Sequence, residues 1–141
     1  MRVSHSFPAI SATFDDPNLV SCAGLAPTMA LAQRAHLTDL VSSTLTLMKA
    51  VGGVNAHLKV PALVAGMVAG ADSIDDMDLL RHGRMGRLFT GIRAPSTLGT
   101  FLRSFTFGHV RQLDAVASRF VIALAKNSPI LAGAAQGCYV D

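Results

Sequence analysis

Apolar residues recur along this chain with helical spacing, and the clearest case runs from Leu37 to Met48. Leu37, Leu40, Val41, Thr44, Leu45 and Met48 fall at i, i+3, i+4, i+7, i+8 and i+11, one face of an amphipathic helix. Thr38 suits the N-cap, and Asp39 suits the first turn, where a carboxylate meets the positive helix end. Gly52 and Gly53 are expected to stop this helix. Upstream, Ala26-Pro27 suits a helix start, and Met29, Ala32 and Ala35 mark one face of a modest helix ending near His36. Downstream, Leu58 to Ala71 is apolar almost all round, with Gly66 and Gly70 four residues apart. A buried central helix is expected there, its small residues letting a neighbour approach closely.

The second half of the chain continues the pattern. Ser73 opens a helix with Asp75 and Asp76 in its first turn, and Ser73 with Asp76 forms a weaker relative of the capping box. Arg81-His82 suits its C-terminus and Gly83 ends it. Gly83 to Ala94 reads as a loop exposing Arg84, Arg87 and Arg93. Pro95-Ser96 then sets up a short helix with Ser96 as its cap. Leu98, Phe101, Leu102 and Phe105 lie on one arc of it, and Thr97, Thr100, Arg103 and Ser104 lie on the opposite arc. A turn at Phe107-Gly108 leads into a long helix, His109 to Lys126, whose buried stripe is expected to be Val110, Leu113, Ala117, Phe120, Val121 and Leu124. Short strands are expected at Ala12–Phe14, Leu19–Cys22 and the terminal Cys138–Asp141. The fold class is therefore mainly α, with short strands near the N-terminus and at the C-terminal end.

Composition narrows the picture. A chain of 141 residues that is 50% hydrophobic and 15% charged has the makings of one ordinary packed domain, not of a disordered tail. The longest uncharged run, Val60 to Ala71, contains Pro61 and is too short to span a bilayer. Met1 to Ala12 does not read as a signal peptide, so no membrane partner and a cytoplasmic location are expected. Cys22 and Cys138 lie far apart. His5, His36, His57, His82 and His109 are scattered without the close pairs a zinc site needs. Asp15-Asp16 reads as a turn, and Asp72, Asp75, Asp76 and Asp78 as a helix start, so no metal site is assigned.

Charge is the strongest asymmetry. Before Arg81 the chain carries four Lys or Arg against seven Asp; from Arg81 to Lys126 it carries eight against Asp114 alone, a local charge of +7. Part of that switch is compensation of a helix dipole. What survives is Arg84 to Ser104, an arginine-bearing loop feeding a helix with Ser96, Thr97, Thr100, Arg103 and Ser104 near its outer face. Short hydroxyls with an arginine suit phosphate oxygens and base edges, and a helix N-terminus adds backbone donors. The competing reading is an ordinary solvated basic face.

Four stretches carry a resemblance: SFPAISATFDDPNLVSCAGL, LVAGMVAGADSIDDMDLLRHGRMGRLF, APSTLGTFLRSFTFGHVRQLDAVASRF and the terminal YVD. Together they make the chain resemble the N-terminal part of bacterial insertion-sequence transposases of the DDE class. The resemblance implies an N-terminal arm over residues 1–24 and a helical DNA-binding region over 25–130. Within that region an "LR" helix at Leu80-Arg81 and an "STL" helix at Ser96-Thr97-Leu98 would form a helix-turn-helix-like element. Residues 131–141 would begin a truncated ribonuclease H-like catalytic domain. Asp141 falls at the opening of the first catalytic motif, as the catalytic carboxylate or the residue just ahead of it.

Full-length members of such a family use Mg²⁺, two ions roughly 4 Å apart held by acidic side chains. This chain holds at most one of those acids, so it is expected to need no cofactor and to be inactive alone. Terminal inverted-repeat DNA is the implied partner and a homodimer a further one, with association with the nucleoid when DNA is bound. Two other classes fit the same residues: a stand-alone helical DNA-binding regulator, and an inert remnant or interaction module.

Overall fold

A computed structural model describes residues 16–47 and 54–128. Among these residues the chain forms six α-helices and one 3₁₀ helix, and no strand. The order is α1 (Leu25–Arg34), α2 (Leu37–Thr44), α3 (Ala56–Val68), the 3₁₀ helix (Asp75–Leu80), α4 (Met85–Leu88), α5 (Pro95–Arg103) and α6 (Phe107–Asn127). The mainly α expectation holds. The strand expected at Leu19–Cys22 does not form: that stretch is irregular and turns into α1, with Leu25 N–H bonded to the Cys22 carbonyl at 3.0 Å. The strands expected at Ala12–Phe14 and Cys138–Asp141 lie outside the described residues.

Two apolar clusters share α3. In the first, Ala32, Leu37, Val41, Leu45, Val60, Phe101 and Val116 pack together from α1, α2, α3, α5 and α6. In the second, Leu25, Ala65, Met77, Leu80, Met85 and Leu98 gather the start of α1, the far end of α3, the 3₁₀ helix, α4 and α5. Met29 and Leu63 touch both. The expected faces of α1 and α2 are the buried ones, because Ala32, Ala35, Leu37, Val41 and Leu45 are all buried. Apolar periodicity was a sound guide where one helix face meets one core.

Helix ends moved where side chains from elsewhere intervene. α2 begins at Leu37, with left-handed His36 (φ 58°) at the N-cap position expected for Thr38. It stops at Thr44, well short of Gly52-Gly53, which lie outside the described residues. The reason is tertiary. Thr46 N–H donates to Gln112 Oε1 at 2.9 Å, Gln112 Nε2 donates to Thr46 Oγ1 at 3.0 Å, and Arg119 Nη1 donates to Thr44 Oγ1 at 2.9 Å. α6 thus captures the exit of α2 and draws the chain into an extended conformation at Leu45.

α3 runs from Ala56 to Val68 instead of Leu58 to Ala71. Ala71 N–H reaches back to the Gly66 carbonyl at 2.9 Å, a six-to-one bond that wraps over the helix end and closes it. It is also buried on one side only: Val60, Ala62, Ala65 and Gly66 face inward, while Met67 and Val68 are exposed. The acidic segment forms a 3₁₀ helix where an α-helix was expected. Its start is the expected capping arrangement, with Ser73 N–H and Oγ–H both donating to Asp76 Oδ2 at 3.0 and 2.6 Å and Asp76 N–H donating to Ser73 Oγ at 3.3 Å. Those hydroxyl and amide bonds hold the Asp76 carboxyl below its ordinary value.

Within the stretch read as a loop, Met85–Leu88 closes one helical turn because Met85 is fully buried in the second cluster. α6 starts two residues earlier than expected, at Phe107. Thr106 caps it, sharing hydrogen bonds with the His109 imidazole at 3.0 Å. Its buried stripe is also rotated. Leu113, Val116 and Phe120 face the core, whereas Val110, Ala117 and Val121 face outward. Gln112 and Arg119, bonded to the end of α2, fix that rotation.

Candidate nucleic-acid interface

The outer face of α5 follows from what its inner face buries. Pro95 occupies the first helical position, where its missing N–H costs nothing. Ala94 takes the N-cap position expected for Ser96, accepting the N–H groups of Thr97 and Leu98 at 2.9 and 3.1 Å. Leu98 and Phe101 are both fully buried, Leu98 in the second cluster and Phe101 in the first. Two anchors into two cores leave the helix no freedom to roll. Ser96, Thr97, Thr100 and Arg103 are consequently exposed, as expected, while Ser104 is half-buried and Leu102 is turned partly outward.

Hydrogen bonds along that face define what it offers. Thr100 Oγ1 donates to the Ser96 carbonyl at 2.9 Å and accepts from Arg103 Nη2 at 3.4 Å. Ser104 Oγ donates to the Phe101 carbonyl at 2.6 Å. The hydroxyl protons of Thr100 and Ser104 are thus directed into their own helix. Arg103, lying back over Gly99, is the principal charged donor on the surface.

The arginines before α5 separate into different tasks. Arg84 is half-buried; its Nε donates to the Pro17 carbonyl and its backbone N–H to the Leu19 carbonyl, both at 3.2 Å. It ties the segment leading into α1 onto the body of the protein. Arg87 is exposed at the end of α4. Arg93 is half-buried, and its Nε is enclosed without a hydrogen-bond partner. Beyond α4, Arg119 binds Thr44, and Arg81 pairs with Asp78 at 2.7 Å. Two of the eight cations in the basic half, Arg84 and Arg119, therefore tie distant segments of the fold together. The exposed Arg81–Asp78 pair contributes little stability, since both partners stay in water.

Lys59 is a residue the apolar pattern gave no reason to single out. It sits at 6% exposure within α3, its Nζ lying 5.2 Å from the centroid of the Phe101 ring. Burial lowers its pKa below 10.5, and the Arg93 charge lowers it further. Its only sequence signal is a lone lysine in an otherwise apolar helix, which reads equally as a chance exposed position.

The acidic residues do not assemble a metal centre. Asp76 is bound by Ser73 and Asp78 by Arg81, and no group of three His, Cys, Asp or Glu among the described residues is arranged to hold an ion. This donor set does not fit a two-metal site. Asp141 lies outside the described residues. Cys22 is a free, half-buried thiol. No helix among the described residues is long and apolar enough to cross a membrane.

Leu80 of the "LR" segment and Leu98 of the "STL" segment both lie in the second cluster. The connection between them is residues 81–94, including α4, much longer than the three or four residues of a tight helix-turn-helix. α5 and α6, by contrast, are joined by residues 104–106 alone. Compared with known proteins, the chain matches no family model, no curated protein and no solved structure.

Proposed function

We propose that this chain is a DNA-binding region of an insertion-sequence transposase of the DDE class, and that it contacts duplex DNA through the outer face of α5 and the arginines before it. Terminal inverted repeats are the proposed target. The observation that carries the reading is the double anchoring of α5 by Leu98 and Phe101, which holds Ser96, Thr97, Thr100 and Arg103 on one exposed face of a basic half-molecule.

On this reading Arg87 and Arg103 neutralise phosphates, and the small hydroxyl side chains of Ser96 and Thr97 let α5 approach the backbone closely. Arg84 positions the arm. Catalysis is not assigned to the described residues, because no group of three His, Cys, Asp or Glu among them is arranged to hold a metal ion. The helix-turn-helix-like element, if used for docking, is the short-linked pair α5–α6 with the Leu80 segment buttressing it from behind.

Binding to inverted-repeat duplex measured across a salt series tests this. Affinity should fall linearly on a log–log plot, and Arg103→Ala or Arg87→Ala should each reduce the slope by roughly one unit. Unchanged, salt-sensitive binding in both variants would remove the assignment of this surface.

A further inference from the structure

α6 is the longest described helix, yet Val116 is its one fully buried residue. Its outward side carries Phe107, Val110, Ala117 and Val121, spaced at three- and four-residue steps, with Asp114 completing the series between Val110 and Ala117. That spacing is an a/d seam, two apolar rows that would face a partner helix. Phe107 is 81% exposed and Val121 63%. At about 1.5 Å per residue the seam runs roughly 21 Å along the helix. Arg111, one turn before Asp114, is exposed beside it.

We infer that this seam is a self-association surface, on which α6 of a second copy of the chain packs antiparallel. Charge selects both the partner and the direction. A parallel pair would set Asp114 against Asp114 inside the seam. An antiparallel pair centred between residues 111 and 114 brings Asp114 of each copy to Arg111 of the other, twice, by the same two-fold rotation. It also places Phe107 of one copy against Ala117 and Val121 of the other. A two-fold interface must be self-complementary, and one aspartate with one arginine on a single helix face meets that condition. A lone polar residue at an a position is also the usual device for fixing register at some cost in strength. Four apolar side chains per copy cover less than the roughly 800 Å² per partner of a standard interface. The dimer should therefore be weak.

Sedimentation equilibrium of the full chain, with circular dichroism as a folding control, tests the proposal without reference to DNA. The wild type should show a reversible monomer–dimer equilibrium. Asp114→Arg should raise the dissociation constant at least about tenfold, since each seam would then face like charges. The double variant Arg111→Asp with Asp114→Arg should return it to within about threefold, the reciprocal pairs having been exchanged. If Asp114→Arg loses helical signal, Val121→Ser gives the same readout by removing apolar contact alone. A wild type that stays monomeric up to millimolar concentration overturns the proposal and gives the seam to another occupant. Dimerisation untouched by Asp114→Arg and Val121→Ser, or not restored in the charge-swapped double variant, overturns it as well.

Discussion

Met77 fills the space where a side chain on Gly66 would begin: its thioether sulfur and terminal methyl both lie against the position of a β-carbon there. Gly66 is on α3 and Met77 on the 3₁₀ helix, so this contact is where the acidic segment docks onto the central helix. Met77 is buried in the second cluster together with Leu80 and Leu98.

Gly66→Ala should therefore destabilise the protein by about 1–3 kcal/mol through overpacking, seen as a lower midpoint in urea unfolding. The thioether is flexible, but Met77 is itself only 2% exposed within the second cluster, which leaves it little open space to retreat into. Met77→Ala alone should cost about 2–5 kcal/mol. The double variant should be less destabilised than the two singles together, because the second change vacates the space the first one needs. Strict additivity would mean that the two residues do not share this space.

Gly83 is left-handed (φ 57°), and a β-carbon on it would stand 2.7 Å from the Leu19 carbonyl oxygen. That carbonyl also accepts the Arg84 N–H. Gly83→Ala should cost at least about 1–2 kcal/mol from the backbone conformation alone and should displace the 16–19 segment. Arg84→Ala should loosen the same segment by removing the bond to Pro17, at about 1 kcal/mol. Limited proteolysis would report both as faster cleavage before α1; equal rates in wild type and variants would rule the tether out.

Acid should weaken the capping arrangement at Ser73. Bonds from Ser73 depress the Asp76 pKa below 3.8 in the folded state. The stability this gives is present above the unfolded-state value and is lost as pH falls through the folded one. Thermal unfolding from pH 6 down to pH 2 should show a steeper loss in wild type than in Ser73→Ala. Parallel curves would mean that the carboxylate is not held as described.

Lys59 is shifted in the same direction, but here burial disfavours the charged form instead of bonds favouring it. Its folded-state pKa lies below 10.5, so the unfolded chain binds more protons in the interval between the two values. Stability should rise with pH across that interval and level off at its lower value below it. Lys59→Met keeps the apolar stem beside Phe101 and removes the titration. Comparing the two proteins by denaturant unfolding between pH 8 and pH 10.5 isolates this residue, and matching pH dependences would contradict its burial as a cation.

Much of this architecture was legible in the residue order, for a common reason. Leu37, Val41 and Leu45, or Leu98 and Phe101, recur at helical spacing because one face of each helix meets one core, and burial imposes that period directly on the sequence. The same holds for the exposed Ser96, Thr97, Thr100 and Arg103, which are outward because their neighbours at the right spacing are inward. Ser73 and Asp76 could be read as a cap because both partners lie within one turn.

What the tertiary structure alone decided concerns residues whose partners are distant in the chain. α2 stops at Thr44 because Gln112 and Arg119 bind its exit, and no local pattern at residues 44–48 announces residues more than sixty positions away. The same two side chains turn α6 so that Val116, not Val110 or Val121, faces the core. Arg84 looked like its neighbours Arg87 and Arg93 in sequence, yet a carbonyl at Pro17 makes it a tether. Local periodicity records burial against whatever lies nearest; long-range hydrogen bonds determine where helices end, how they are rotated, and which cations remain to meet a partner.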